Sequence, residues 1–251
     1  MTQMSTVTVA TSTGSSIAVG EAGAGPVPVF AVGGMSVTSF LESPVRLVLE
    51  DAAAKGARYA MMDIAGAGAS TAAPGLVMDT WVRDVEEIFE RHVAERAIWT
   101  GASIGAWLML VVHRRHPEWF RSMCALAPAL DWDQRYIAPR LRDGRLGVID
   151  GIVVNLDATA VASRELLISM APHHVLREPM RLAAPLHIIF GAADEMAPAD
   201  ATRQFIERAV GSPCTGEILP EEDHGVAKLM SPLALVRYQR WLQPQLATIA
   251  S

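Results

Sequence analysis

One stretch constrains the chain more than any other: Thr100-Gly101-Ala102-Ser103-Ile104-Gly105-Ala106-Trp107. It follows the run Ala97-Ile98-Trp99-Thr100 and opens the apolar segment Trp107-Leu108-Met109-Leu110-Val111-Val112, so a strand is predicted before it and a helix after it. A serine between two glycines at a strand-to-helix junction forms a nucleophile elbow. The turn is so tight that the flanking positions must lack bulk. It lifts the serine hydroxyl above the carboxyl edge of the sheet, with a helix N-terminus behind it.

The rest of the chain supplies a sheet for that turn to sit on. Thr6-Val7-Thr8-Val9 and Ile17-Ala18-Val19 flank a Thr/Ser/Gly cluster and read as an antiparallel hairpin. Short apolar strands follow at Val27–Val32, Tyr59–Ile64 and Met123–Pro128, then at Leu186–Phe190 and Gly216–Pro220. Helical spacing separates them: Pro44 to Lys55, a segment capped by Asp79 with an apolar face from Trp81 to Val93, and Asp200 to Val210. A closing amphipathic helix is predicted over Pro232 to Leu242. Between Ala129 and Ala184 the pattern changes to short helical stretches broken by Pro and Gly. A structureless loop of that length is improbable. The predicted fold class is therefore α/β, a mostly parallel eight-stranded twisted sheet with flanking helices. Residues 1–128 and 185–251 form the core, and 129–184 form a small helical lid insertion.

Composition limits the function classes. A hydrophobic fraction of 51% with 19% charged residues describes a globular domain. A net charge of -6 gives no electrostatic footprint for nucleic acid. No run approaches the roughly 20 apolar residues that span a bilayer. The start, Met1-Thr2-Gln3-Met4-Ser5, has neither a basic nor an apolar signal region, and Cys124 and Cys214 are too few for a disulfide framework, so a soluble cytoplasmic protein is expected. There is no His-Glu-x-x-His, no paired Cys-x-x-Cys and no Gly-x-Gly-x-x-Gly opening a helix, so neither metal nor cofactor is expected.

A serine hydroxyl becomes a nucleophile when a base takes its proton and an acid orients that base. Ser103, Asp194 and His224 occur in that order, each just after a predicted strand, which puts all three in loops at one sheet edge. Among seven histidines, His224 is the best base because it sits in a Gly-flanked loop after the last strand. Asp194 is favoured as the acid over Glu195, with Asp131 and Asp133 in reserve; Asp63 reads as a turn former and Asp223 as a poor orienter. Gly33-Gly34-Met35 ends the third strand, and glycines there let the backbone approach a substrate oxygen. The Met35 and Ile104 N–H groups are the candidate oxyanion donors. Gly34, Trp107, Trp132 and Tyr136 are the candidate substrate contacts, although Trp107 also suits a core position. His113 and His116 read as surface residues, and His173 and His174 as structural or pocket-rim residues of the lid.

With Asp63-Ile64-Ala65-Gly66-Ala67-Gly68-Ala69-Ser70, Gly191-Ala192-Ala193-Asp194 and Asp223-His224-Gly225, these motifs resemble the α/β-hydrolase superfamily over nearly the whole chain. Gly105-Ala106-Trp107-Leu108-Met109-Leu110 and Ala171-Pro172-His173-His174-Val175-Leu176 are similar to a branch that includes the abhydrolase-domain palmitoyl-protein thioesterase, which also cleaves acyl glucuronides, and bacterial relatives. The resemblance implies a serine hydrolase acting on a small-molecule ester or thioester through an acyl-enzyme on Ser103. The Gly-Gly-Met loop departs from the His-Gly or Pro-Gly of many members. Three alternatives stay open: a biosynthetic acyltransferase, cyclase or lyase using the same serine, a non-catalytic ligand-binding homologue, and a structural dimerisation module.

Overall fold

In the computed structural model, which describes residues 3–247, one eight-stranded sheet organises the chain. Its first six strands are β1 (Ser5–Ala10), β2 (Ser16–Gly23), β3 (Val27–Val32), β4 (Ala57–Met62), β5 (Ala97–Ala102) and β6 (Phe120–Leu126). Leu186–Gly191 and Cys214–Leu219 complete it, in the spatial order β1-β2-β4-β3-β5-β6 and then these two. The first two pairings, β1 with β2 and β2 with β4, are antiparallel, and every other pairing in this sheet is parallel.

Parallel strands buried on both faces carry apolar residues at successive positions, and β3 and β5 are buried throughout. Alternate side chains serve opposite cores. Phe30 and Val32 face a cluster with helices α2 (Met78–His92) and α3 (Ile104–Arg115), whereas Val29 and Ala31 face one with α1 (Pro44–Ala54) and the last helix, Pro232–Ala247. Helix α3 is apolar all round and buried along nearly its whole length, as a central helix must be. Among the described residues no helix is long and apolar enough to cross a membrane.

Several sequence expectations need correction. Helix α2 begins at Met78 behind Val77, and Asp79 lies in its first turn instead of capping it. The 129–184 insertion is not purely helical. It holds a three-stranded antiparallel sheet (Gly147–Ile149, Ile152–Val154, Ala160–Ser163) between a helical stretch, Asp133–Arg142, and the helix Arg164–Met170. Val148-Ile149 and Ile152-Val153-Val154 are β-branched runs, so β preference prevails over the helical spacing. His113, expected at the surface, is 1% exposed because its turn of α3 packs against Phe120 and the strand Arg181–Leu182.

Candidate active site

Four sheet strands deliver the site at their carboxyl ends. After β5, Ser103 sits at φ +53° and ψ −122°, a backbone state that costs roughly 1–3 kcal/mol and persists only where the surroundings enforce it. The neighbouring glycines explain how. A Cβ at Gly101 would strike the backbone of Gly105 and Ala106, and one at Gly105 would strike the carbonyls of Val32 and Gly33. The Ser103 N–H donates to the Leu126 carbonyl at 2.9 Å, which ties the turn to β6.

The structure brings the three candidate side chains together. Ser103 Oγ lies 2.9 Å from His224 Nε2, and His224 Nδ1 lies 2.7 Å from Asp194 Oδ2. The Asp194 carboxylate has no exposed side-chain surface, and its Oδ1 accepts the N–H groups of Met196 at 2.9 Å and Ala197 at 2.8 Å. With Asp194 accepting at Nδ1, the imidazole carries its proton there and turns a lone pair toward Ser103. Gly191 permits this approach, since a Cβ there would collide with the Glu222 carbonyl in the histidine-bearing loop. Asp223 is occupied locally, accepting the Gly225 N–H at 2.8 Å.

After β3, the Gly33 N–H is anchored to the Met62 carbonyl at 2.9 Å. A Cβ on Gly34 would lie 2.7 Å from that of Ser103, so this loop passes directly over the nucleophile position. The N–H groups of Met35 and Ile104 have no hydrogen-bond partner among the described residues. Met35 lines a cleft of about 360 Å³ whose lining also includes Gly34, Phe40, Ser103, Met196, His224 and Lys228, and Ile104 directly follows Ser103 in the chain.

The aromatic residues expected at the substrate lie elsewhere. Trp107 is fully buried, donates its indole N–H to the His173 carbonyl at 3.0 Å and stacks on the His174 ring, because α3 is buried on every side. Trp132 is 2% exposed and stacks on Tyr136, whose other neighbour is the Arg140 guanidinium 3.9 Å from its ring centre. None of the three lines the cleft. The reserve acids are also engaged: Asp133 binds His174 Nε2 at 2.8 Å, and Asp131 accepts the Val175 N–H at 2.8 Å and the Leu176 N–H at 3.2 Å. Phe40, Met196 and Lys228 were missed by sequence reasoning. Phe40 opens the three-residue helical turn Phe40–Glu42 and Met196 stands in a loop, both too short to give side-chain direction a period, while Lys228 shares its turn with His224 and is legible from that position.

Among the described residues no group of three or more His, Cys, Asp or Glu side chains is placed to hold a metal ion.

No curated protein matches the chain by sequence. Solved structures do match in fold. A protein from Agrobacterium vitis S4 superposes with a TM-score of 0.79 at 20% identity, covering 98% of this chain and 99% of its own. Alpha/beta hydrolase domain-containing protein 10 from mouse gives 0.77 at 18% identity, with 98% and 99% covered. The monoacylglycerol lipase of Paleococcus ferrophilus gives 0.69 at 17%, with 92% and 98% covered. The family model Hydrolase_4 matches residues 45–173, just over half of the 251-residue sequence. By that match and by its fold, the chain belongs to the α/β-hydrolase superfamily and, within it, to the Hydrolase_4 family (serine aminopeptidase, S33).

Proposed function

We propose that the protein is a serine hydrolase that cleaves a carboxylic ester or thioester through an acyl-enzyme on Ser103. The observation that carries this reading is the continuous Ser103–His224–Asp194 chain of hydrogen bonds, 2.9 Å and 2.7 Å long. His224 Nε2 takes the hydroxyl proton as Ser103 Oγ attacks the acyl carbon, and Asp194 stabilises the imidazolium that forms. Negative charge collects on the former carbonyl oxygen, where the N–H groups of Met35 and Ile104 receive it. Collapse breaks the bond to the alcohol or thiol, which leaves with the proton from His224. Water then repeats the sequence and frees the acid.

The cleft favours an acyl substrate over a peptide with a free amino terminus. Phe40, Met35, Met196 and Ala227 give it an apolar lining. A substrate ammonium needs a carboxylate to receive it, and among the described residues the lining holds none, its cation being Lys228. Intact-mass analysis after incubation with a fluorophosphonate tests the reading. A single adduct on the wild type, absent from Ser103→Ala and slowed in His224→Ala, is the expected result. No adduct on folded wild type would overturn it. Turnover of p-nitrophenyl esters without turnover of aminoacyl p-nitroanilides then separates the two substrate classes.

A further inference from the structure

The loop that follows the Met35 N–H is held from two sides. From the turn after β4, the Asp63 carboxylate accepts the Phe40 N–H and the Ser39 hydroxyl, each at 2.6 Å, and the Gly68 N–H donates to the Ser36 carbonyl at 2.7 Å. From the opposite wall comes Lys228. Its ammonium donates to Ser36 Oγ at 2.6 Å, to the Thr38 carbonyl at 3.2 Å and to the Thr38 hydroxyl, so all three of its protons meet neutral oxygens of this one loop. No carboxylate pairs with Lys228 among the described residues, and burial holds its ammonium below the ordinary lysine range against the opposing charge of Asp63. A lysine serving solubility alone gains nothing by exchanging hydration for such a site.

Lys228 also closes the short helical turn His224–Lys228, which begins at the candidate base. It therefore bridges the histidine-bearing loop and the oxyanion loop directly. Upstream, the Gly33 N–H is fixed to β4. Between that anchor and Ser36 stand Gly34 and Met35, whose backbone N–H groups make no hydrogen bond among the described residues. Glycine imposes little restraint on the peptide plane that follows it. The downstream anchor consequently decides which way the Met35 N–H faces.

We propose that Lys228 is a positioning residue that holds the Met35 N–H in register with His224 and Ser103. This inference rests on the hydrolytic reading above. Removing one oxyanion donor costs about 10²–10³ in turnover, and a loosened donor loses part of that, about 10–100-fold.

The test measures kcat and KM on p-nitrophenyl butyrate, the pH–rate profile and the rate of fluorophosphonate labelling. Lys228→Met should lower kcat by about 10–100-fold with KM changed less than about twofold, and labelling should slow in proportion. The acid limb of the pH profile should stay where it is, since the Ser103–His224–Asp194 contacts are untouched. Lys228→Arg, which keeps donors, should recover most of the loss. The pair Ser36→Ala with Thr38→Val should reproduce it, and adding Lys228→Met to that pair should cost little more. Should Lys228→Met fail to fold, the Ser36/Thr38 pair carries the same test from the other side. A kcat unchanged in Lys228→Met, a loss confined to KM, or a displaced acid limb would overturn the inference. If the wild type takes no label, the hydrolytic reading falls and this one with it; a labelled wild type with an unaffected Lys228→Met overturns only this one.

Discussion

Replacing Asp194 by asparagine should disable the site while leaving its architecture standing, because of how the carboxylate is shared. Oδ1 accepts two backbone N–H groups, from Met196 at 2.9 Å and Ala197 at 2.8 Å, while Oδ2 faces His224 Nδ1 at 2.7 Å. An asparagine has one oxygen, and the two backbone donors hold it at the Oδ1 position. Its NH2 group must then point at His224 Nδ1, which can meet a donor only as an acceptor. The imidazole proton moves to Nε2, toward Ser103 Oγ, and the group that should take the serine proton no longer can. In the serine-protease template the equivalent change costs about 10⁴ in kcat, or ~5 kcal/mol of barrier at 1.36 kcal/mol per decade. Ester turnover and fluorophosphonate labelling should both fall on that scale for Asp194→Asn. Its unfolding midpoint should stay within a few degrees of wild type, since the side-chain oxygen that accepts the Met196 and Ala197 N–H groups is kept. Asp194→Ala should lose activity and also stability, because two buried N–H groups go unmet at about 1–3 kcal/mol each. Asp194→Asn retaining more than a tenth of wild-type turnover would refute the tautomer argument.

Gly34→Ala would put a methyl 2.7 Å from Ser103 Cβ and 3.0 Å from the Ala102 carbonyl. Labelling of Ser103 should slow by about 10²-fold or more as the loop retreats from the oxyanion position. Trp107→Ala should cost ~3–5 kcal/mol by denaturant unfolding, as expected for a buried tryptophan away from the cleft. His113 is pushed down to about 4 by burial, so the unfolded chain binds more protons than the folded one between pH 4 and 6.5. Its share of stability is complete above pH 6.5 and is lost as pH falls toward 4, amounting to at most about 3 kcal/mol. His113→Gln keeps an acceptor for the Ala183 N–H and does not titrate. It should therefore show a shallower stability loss than wild type between pH 7 and pH 4.5 in urea titrations. Parallel curves for the two proteins would refute that assignment.

What could be read from the sequence follows its periodicity. The central strands of the sheet and α3 are legible because burial on two faces writes a continuous apolar run, as in Ala97–Ala102 and Trp107–Val112. Ser103, Asp194 and His224 were legible because the end of a strand is itself a position, and a loop residue one to five places beyond it must lie at the carboxyl edge. Side chains that line the cleft lack such a rule. Large aromatics serve packing wherever the backbone faces inward: Trp107 and Trp132 are buried, and half-buried Tyr136 stacks on Trp132 beneath the Arg140 guanidinium, away from the cleft. Phe40 reaches the cleft through a segment whose direction is set by Asp63, which sequence reasoning confines to its own turn, and Lys228 reaches it from the helical turn that begins at His224. The insertion was misread for a related reason: three-residue strands are too short for alternation to outweigh chance helical spacing.

The route by which a substrate reaches Ser103 follows from how the insertion is fastened. A buried polar contact ties its base to the core, the Trp107 indole on the His173 carbonyl, while Asp131 on the N–H groups of Val175 and Leu176 holds the insertion's own two ends together. The His174–Asp133 pair fastens one end of the insertion to the other. At its flank, Arg140 binds both the carbonyl and the carboxylate of Glu195, next to Asp194, and Arg135 binds Gln204. Breaking several such contacts together costs more than a single loop opening offsets. Its three-stranded sheet is tied differently, leaving Val148, Ile149 and Ile152 exposed. The cleft itself is walled by the loops after β3 and around His224, which meet at Lys228 and Ser36, and by Met196 from the loop after Leu186–Gly191, all of them in the core. On the proposed hydrolytic reading, substitutions at the junction of Lys228 and Ser36 should alter turnover more than substitutions in the outer strands of the insertion.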